Sequence, residues 1–265
     1  MIRGLYTSGW SMIANSKKLD VITNNLANVN TSAFKKDTVV FQSFPELLTQ
    51  RINDTKRPAS LSANIGNMSL SSDVGEIFTY YTQGQLTQTN NSFDLAISDD
   101  DTQGKINPAF FTVGVLNPED NSLDEYYTKD GAFVLNINNQ LVTKDGNPVL
   151  GENGPITLEP GEFTVDALGN ITQNGAVVDR LRITQFTDAT KLRKYGDTLV
   201  RNEGGEVSAF TGQVRQGFVE QSNVDVVTEM VDMITVMRAY EANQKVLQAQ
   251  DSTLDKAVNE VGVVR

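Results

Sequence analysis

Carboxylates are the only acid–base or metal-ligating side chains this sequence offers in number. It carries 33 Asp and Glu against 22 Lys and Arg, with no histidine and no cysteine. They crowd together in two places: the run Asp99-Asp100-Asp101, and the group Asp120, Asn121, Asp124, Glu125. Either could collect calcium, but both lack the alternating oxygen ligands and central glycine of an EF-hand loop. A solvated loop tip is the better reading of each. Without histidine or cysteine there is no Ser-His-Asp triad, no thiol nucleophile, no disulfide and no zinc site built on those ligands. A hydrolase using two carboxylates stays open, yet no spacing singles out an acid and a base. Lys35-Lys36 reads as a solvated turn rather than a phosphate site. No catalytic residue, metal or cofactor is expected.

The elements that would have to position such groups point to a mechanical role. A net charge of −11 argues against nucleic acid, whose binders need a basic face to displace counterions. No run approaches 18 apolar residues, so no membrane span is predicted. The stretch Met1-Ile2-Arg3-Gly4-Leu5-Tyr6 lacks the apolar core and cleavage site of a secretory signal. No anchor or sorting tail is visible before Arg265. From Val226 every seventh residue is apolar: Val226, Met233, Tyr240, Leu247, Leu254, Val261. Uninterrupted by Gly or Pro, this is a long helix with a narrow apolar seam, as in a coiled-coil strand. Asn223 or Asp225 can cap its first turn. At on the order of 55 Å long, it needs a partner along its length.

The first candidate partner lies at the other end. Leu5, Met12, Leu19 and Leu26 recur at the same step of seven, predicting a helix over 1 to about 28. Gly4 and Gly9 weaken its first turns by about 1 kcal/mol each. Trp10 is expected to pack at an interface. The helix breaks in the asparagine-rich stretch Asn24-Asn25-Leu26-Ala27-Asn28-Val29-Asn30-Thr31-Ser32-Ala33-Phe34-Lys35-Lys36, with Leu26 and Ala27 buried and the loop turning through Asn28 and Asn30. Residues 46–75 read as a polar, extended connector. Residues 76–220 are rich in short strands, such as Ala132 to Ile137 and Gln213 to Val219, with a helical turn within Asp188 to Lys194. Dense turn signals suggest a sandwich or open barrel of antiparallel strands. The expected class is α+β: an N-terminal helix with its asparagine-rich loop at 1–45 and a C-terminal helix at 221–265, the two helices pairing as a coiled-coil-like layer, a connector at 46–75, and a β-rich outer domain at 76–220. Pairing the two helices alone would leave rows such as Ile13, Val231, Ala239 and Val246 wet, which favours a polymer over a private hairpin.

The asparagine-rich stretch resembles the signature of flagellar basal-body rod and hook proteins: Asn24, Asn25, Leu26, Ala27, Asn28, then Thr31, a small residue, Phe34 and Lys35. The stretches Ser222-Asn223-Val224-Asp225, Met230-Val231-Asp232-Met233-Ile234 and Arg238-Ala239-Tyr240-Glu241-Ala242-Asn243 resemble the closing motif of that family. Gly84-Gln85-Leu86-Thr87-Gln88-Thr89-Asn90-Asn91-Ser92 and Tyr127-Thr128-Lys129-Asp130-Gly131-Ala132-Phe133 resemble it too. The sequence departs near the acidic run, where Gly104 stands alone and Pro108-Ala109 precede Phe110-Phe111. The resemblance implies a structural protein, not an enzyme, exported by the flagellar type III apparatus without a cleaved signal. It would sit outside the cytoplasmic membrane, in periplasm or cell wall. There it would polymerise with itself and with other rod and hook proteins into a helical shaft around an export channel. Leu5, Met12, Leu19, Leu26, Met233, Tyr240, Leu247 and Leu254 would form the inner polymerisation interface. A rod-borne cell-wall hydrolase and a β-rich surface adhesin are the rival readings.

Overall fold

The computed structural model describes residues 2–51, 63–69, 71–99, 107–117 and 122–261; Asp100, Asp101, Gly104, Asp120 and Asn121 lie outside them, as do 52–62 of the expected connector. The chain is α+β and divides into two compact units, one made of 1–26, 37–79 and 226–265, the other of 27–36 and 80–225.

In the first unit, α1 (Ile2–Ala27) and α2 (Val226–Lys256) are the two long helices, α2 continuing as one π-helical segment, Ala257–Val261. Glu229 in the first turn of α2 and Lys256 in its last have the signs that the helix dipole favours. Met233, Val236, Tyr240, Asn243, Leu247, Gln250 and Leu254 are all at least partly covered, at alternating steps of three and four. The covered stripe is therefore half apolar row, half mixed row. The helices meet where Gly4 passes Gln250, so closely that a Cβ would stand 2.4 Å from Gln250 Nε2, and where Asn25 meets Glu229 at 3.2 Å. These two contacts run in opposite senses along the chain, so α1 and α2 are antiparallel.

Four strands complete this unit: β1 (Asp37–Ser43), β2 (Leu47–Arg51), β3 (Ala63–Met68) and β4 (Ser72–Thr79), with β1 paired to β4 and β2 to β3, both antiparallel. The expected connector thus contains paired strands where it is described. A two-stranded ribbon is marginal without cover, and α1 supplies some. The Trp10 ring meets Phe44 edge-on at 5.4 Å, Lys17 reaches Asp73 at 3.4 Å, and Lys18 lies over the Phe41 ring.

The second unit is β-rich. Its strands begin with β5 (Leu86–Gln88), β6 (Leu95–Ser98), β7 (Ala109–Leu116) and β8 (Leu123–Thr128). Short hairpins follow: β9 (Val134–Leu135) with β10 (Leu141–Val142), and β11 (Leu150–Gly151) with β12 (Gly154–Pro155). A three-stranded meander is built from β13 (Phe163–Val165), β14 (Asn170–Gln173) and β15 (Ala176–Arg180). The chain continues through β16 (Ile183–Phe186), a 3₁₀ turn at Ala189–Lys191, β17 (Leu192–Tyr195), β18 (Leu199–Asn202), β19 (Val207–Ser208), β20 (Gln213–Gln216) and β21 (Phe218–Glu220). Six strands form one antiparallel sheet in the order β17-β18-β8-β7-β16-β19, while β20 pairs with β6 and β21 with β5.

Neighbouring residues of β7 face opposite sides, as strand geometry requires. Phe111 enters the main core with Leu95, Val113, Phe133, Leu141, Val149, Ile156 and Ile171, whereas Phe110 joins a smaller cluster with Tyr81, Phe186, Leu192 and Val200. Two expectations are corrected. Ile137, read with Phe133 and Leu135 as one half-buried strand, is fully exposed, because the chain turns there and Asn139 takes a left-handed φ of 59°. The stretch Gln213 to Val219, read as one strand, is split by Gly217 at φ 78° into β20 and β21.

Candidate functional site

The asparagine-rich loop is held by short local bonds: Thr31 N–H donates to Asn28 O at 3.1 Å, and Thr31 Oγ1 to Asn28 Oδ1 at 3.0 Å. Ala33 then adopts φ 57°, a conformation costing a non-glycine residue roughly 1–2 kcal/mol. Its N–H donates to Glu220 O at 2.8 Å. This reversal sends Phe34 and Lys35 inward. Phe34 is buried with the Lys194 ammonium 3.9 Å above its ring centre, and Lys194 Nζ also donates to Lys35 O at 2.8 Å.

Lys35 is not in a solvated turn, as its sequence neighbourhood suggests; it is 3% exposed. Its ammonium donates to Glu220 Oε1 at 2.5 Å and to Thr82 O at 2.8 Å. The same Glu220 oxygen accepts from Gly84 N–H at 2.7 Å. Beside this pair lies a second. Lys129 Nζ binds Asp99 Oδ2 and stands 3.7 Å from Glu220 Oε2. Asp99 is therefore no loop tip: its Oδ1 also accepts from Ala109 N–H at 3.2 Å. Two cations and two anions share one interior site, each charge facing an opposite one, which is the condition for burying them at tolerable cost. Burial lowers Lys35 from the usual 10.5 to about 8; the Lys129 ammonium adds to the push and the Glu220 carboxylate opposes it.

Asn223 fastens the same region. Its Oδ1 accepts from Lys36 N–H at 2.7 Å, while Nδ2 donates to Tyr80 O at 2.9 Å and to Thr82 Oγ1 at 2.9 Å. The helix-capping role considered for it is thereby corrected, since its amide is spent on three partners in this unit. Two glycines permit the close backbone approaches. A Cβ on Gly84 would lie 2.0 Å from Gln221 O, and one on Gly131 1.5 Å from Leu95 O.

In the other unit, Asn25 is the buried residue of the motif, whereas Leu26 is half-buried and Ala27 exposed, the reverse of expectation. The Asn25 amide imitates a strand partner: Nδ2 donates to Asp37 O at 2.8 Å, and Oδ1 accepts from Asp37 N–H at 3.0 Å. It thereby starts β1, and it donates as well to the buried Glu229. Of the remaining motif residues, Asn24 is exposed and Asn28 and Thr31 half-buried. The eight seam residues, Leu5, Met12, Leu19, Leu26, Met233, Tyr240, Leu247 and Leu254, are all half-buried. Around them Trp10, Ile13, Val227, Met230, Val231, Ile234, Met237 and Val246 are exposed.

A groove of about 380 Å³ runs along the loop between Val29, Ser32, Thr87, Thr89, Val219 and Val224. Its one titratable side chain is Glu220, already committed to Lys35. The arrangement braces the loop against the strands around it.

Comparison with known proteins gives the family. The family described as "Flagella basal body rod protein" matches residues 5–35, the hook protein FlgE/F/G D1 domain matches 107–209, and the rod FlgEFG C-terminal family matches 215–260. The chain is 34% identical to the flagellar hook-basal body complex protein FlhO of Bacillus subtilis, over the whole of both chains. The chain belongs to the flagellar basal-body rod protein family. It is also 32% identical to the rod protein FlgG of Buchnera aphidicola subsp. Schizaphis graminum, covering 97% of this chain and 98% of that one. It is 29% identical to FlgF of Caulobacter vibrioides over both full lengths. Each rod-family segment supplies a member of the charge cluster: Lys35 from the first, Lys129 from the second, Glu220 from the third. Asp99 lies outside all three. Lys129 stands within a stretch whose likeness was visible, and Asn223 within another. Glu220, Asp99 and Glu229 carry no sequence signal that separates a buried carboxylate from a solvated one.

Proposed function

We propose that this chain is a structural subunit of the flagellar basal-body rod. Copies polymerise into the helical shaft that carries torque from motor to hook and encloses the export channel. Its terminal helices form the inner layer as a coiled-coil-like pair, with Leu5, Met12, Leu19, Leu26, Met233, Tyr240, Leu247 and Leu254 at the polymerisation interface. The β-rich region, read as 76–220, forms the outer layer. The role is mechanical, needs no cofactor, and has the type III export apparatus, other rod and hook proteins and further copies of itself as partners. The subunit works outside the cytoplasmic membrane, in periplasm or cell wall. Among the described residues no helix is long and apolar enough to cross a membrane.

One observation carries this reading beyond the family likeness. Both long helices keep large apolar side chains in water on either side of their half-buried stripe. Patches of that kind mark interaction surfaces, and heterologous contacts that do not close give helical filaments. The test is complementation of a strain lacking the gene, with basal bodies imaged after purification. The wild-type chain restores complete rods and swimming; Leu247→Asp is exported but restores neither. Complete rods built with Leu247→Asp would overturn the interface, and a cleared band on a peptidoglycan zymogram would overturn the mechanical role.

A further inference from the structure

The buried charge cluster contains one carboxylate oxygen that its surroundings leave unused. Glu220 Oε1 takes bonds from Lys35 and from Gly84 N–H, whereas Oε2, equally buried, has no hydrogen-bond partner and points at Lys129 Nζ from 3.7 Å. Lys129 in turn is bound to Asp99, with its side chain 1% and that of Asp99 11% exposed. Tyr81, Phe110 and Val200 are among the walls here, with Lys35 and Lys129, of a cavity of about 10 Å³, room for no more than a single water. A lysine amine against an aspartate carboxyl, both shielded from water and the amine also beside a second carboxylate, is the arrangement required for direct condensation to an amide.

We infer that Lys129 and Asp99 join in an intramolecular isopeptide bond, with Glu220 as the group that carries the proton. Within the ion pair, the Lys129 ammonium first passes a proton to the Asp99 carboxylate, leaving a neutral amine and a neutral acid. The nitrogen lone pair attacks Asp99 Cγ and the N–C bond forms. Glu220 Oε2 takes the second proton from that nitrogen and hands it to the departing hydroxyl. The C–O bond breaks and water leaves. The sum is ammonium plus carboxylate giving amide plus water, with no oxidant, reductant or other reactant.

Two physical consequences favour the product. A buried ion pair carries a desolvation cost that its mutual attraction only partly offsets, and a neutral amide removes it. The new amide N–H also gives Glu220 Oε2 the donor it lacks, and an unsatisfied buried acceptor costs about 1–3 kcal/mol. Lys35 and Glu220 are left as a balanced pair. The bond would tie the end of β6 to the end of β8, a covalent brace within the β-rich unit.

Intact mass spectrometry of the purified, folded full-length chain tests this. The expected mass is the sequence mass less one water, and a tryptic digest should contain the Asp99 peptide joined to the Lys129 peptide. Lys129→Arg keeps the charge and cannot form the amide, so it should show the full mass. Asp99→Asn should release ammonia instead and reach the same final mass as the condensed wild type. Glu220→Gln should remain largely uncondensed, and its far-ultraviolet circular dichroism should match wild type. If it fails to fold, the other two variants decide. A folded wild-type chain at its full mass would overturn the bond. So would water loss without joined peptides, or water loss that persists in Lys129→Arg. Complete condensation in Glu220→Gln would remove Glu220 from its role.

Discussion

A single lysine shows how far burial changes chemistry in this chain. Lys35 titrates at about 8 in the folded protein, against 10.5 when exposed. Between those values the unfolded chain binds the extra proton, so this group's share of stability rises with pH across that window and falls away as pH drops through 8. The slope is on the order of 1 kcal/mol per pH unit. Urea midpoints at pH 7.5 and pH 10 should therefore move upward in wild type relative to Lys35→Met. A relative fall would show that attraction to Glu220, not desolvation, controls the group. The lysine-to-methionine change should itself cost about 3–5 kcal/mol at pH 7.5, since it strands a buried carboxylate. Asn25 makes a comparable case in the other unit. Asn25→Asp loses the donor to Asp37 O and sets a second carboxylate against Glu229. Denaturant unfolding should reveal a loss of at least about 2 kcal/mol, while Asn25→Gln, which keeps both functional groups, should lose less. Equal losses would mean that shape alone matters there.

At the scale of elements, the helices were legible because periodicity and the absence of breakers are local properties. α1 and α2 fall within a few residues of where Leu5 to Leu26 and Val226 to Val261 place them. The turn at Ala189–Lys191 was legible for the same reason, since Asp188 caps it through Thr190 N–H. What sequence could not supply was pairing. The stretch 46–75 reads as polar connector, yet β2 and β3 within it pair. Lys35 reads as solvent-facing because lysines mostly are; its burial depends on Glu220, 185 positions away. The apolar seam also hid the row beside it, in which Asn243 and Gln250 share the covered stripe of α2. Polar residues in such a stripe specify register at a cost in stability. Replacing Asn243 and Gln250 together with leucine should raise the thermal midpoint of the helices and broaden the range of assemblies seen by electron microscopy. A single, unchanged rod geometry would show that register is set elsewhere.

For the whole molecule, the two units differ in how they meet the entropy of folding. The β-rich unit has a continuous core of fully buried Leu95, Phe111, Val113, Phe133, Leu141 and Ile156. In the 31 residues of α2, by contrast, Glu229 and Val236 alone are fully buried, and one of them is charged. Ordering the backbone costs about 1–2 kcal/mol per residue, and half-covered seam residues recover little of it. Helices of this kind draw their stability from tertiary packing rather than from propensity. In dilute solution the amides of α1 and α2 should therefore exchange with deuterium much faster than those of β7 and β8, on the scale of local opening rather than global unfolding. Assembly should reverse the order of protection for the helices alone, because neighbouring copies would cover Met230, Ile234, Met237 and the seam together. Hydrogen exchange followed by mass spectrometry on free and polymerised chain measures both states. Helices already as protected as the β core in the dilute chain would mean that they need no neighbours, and that their exposed apolar rows serve something other than a polymer.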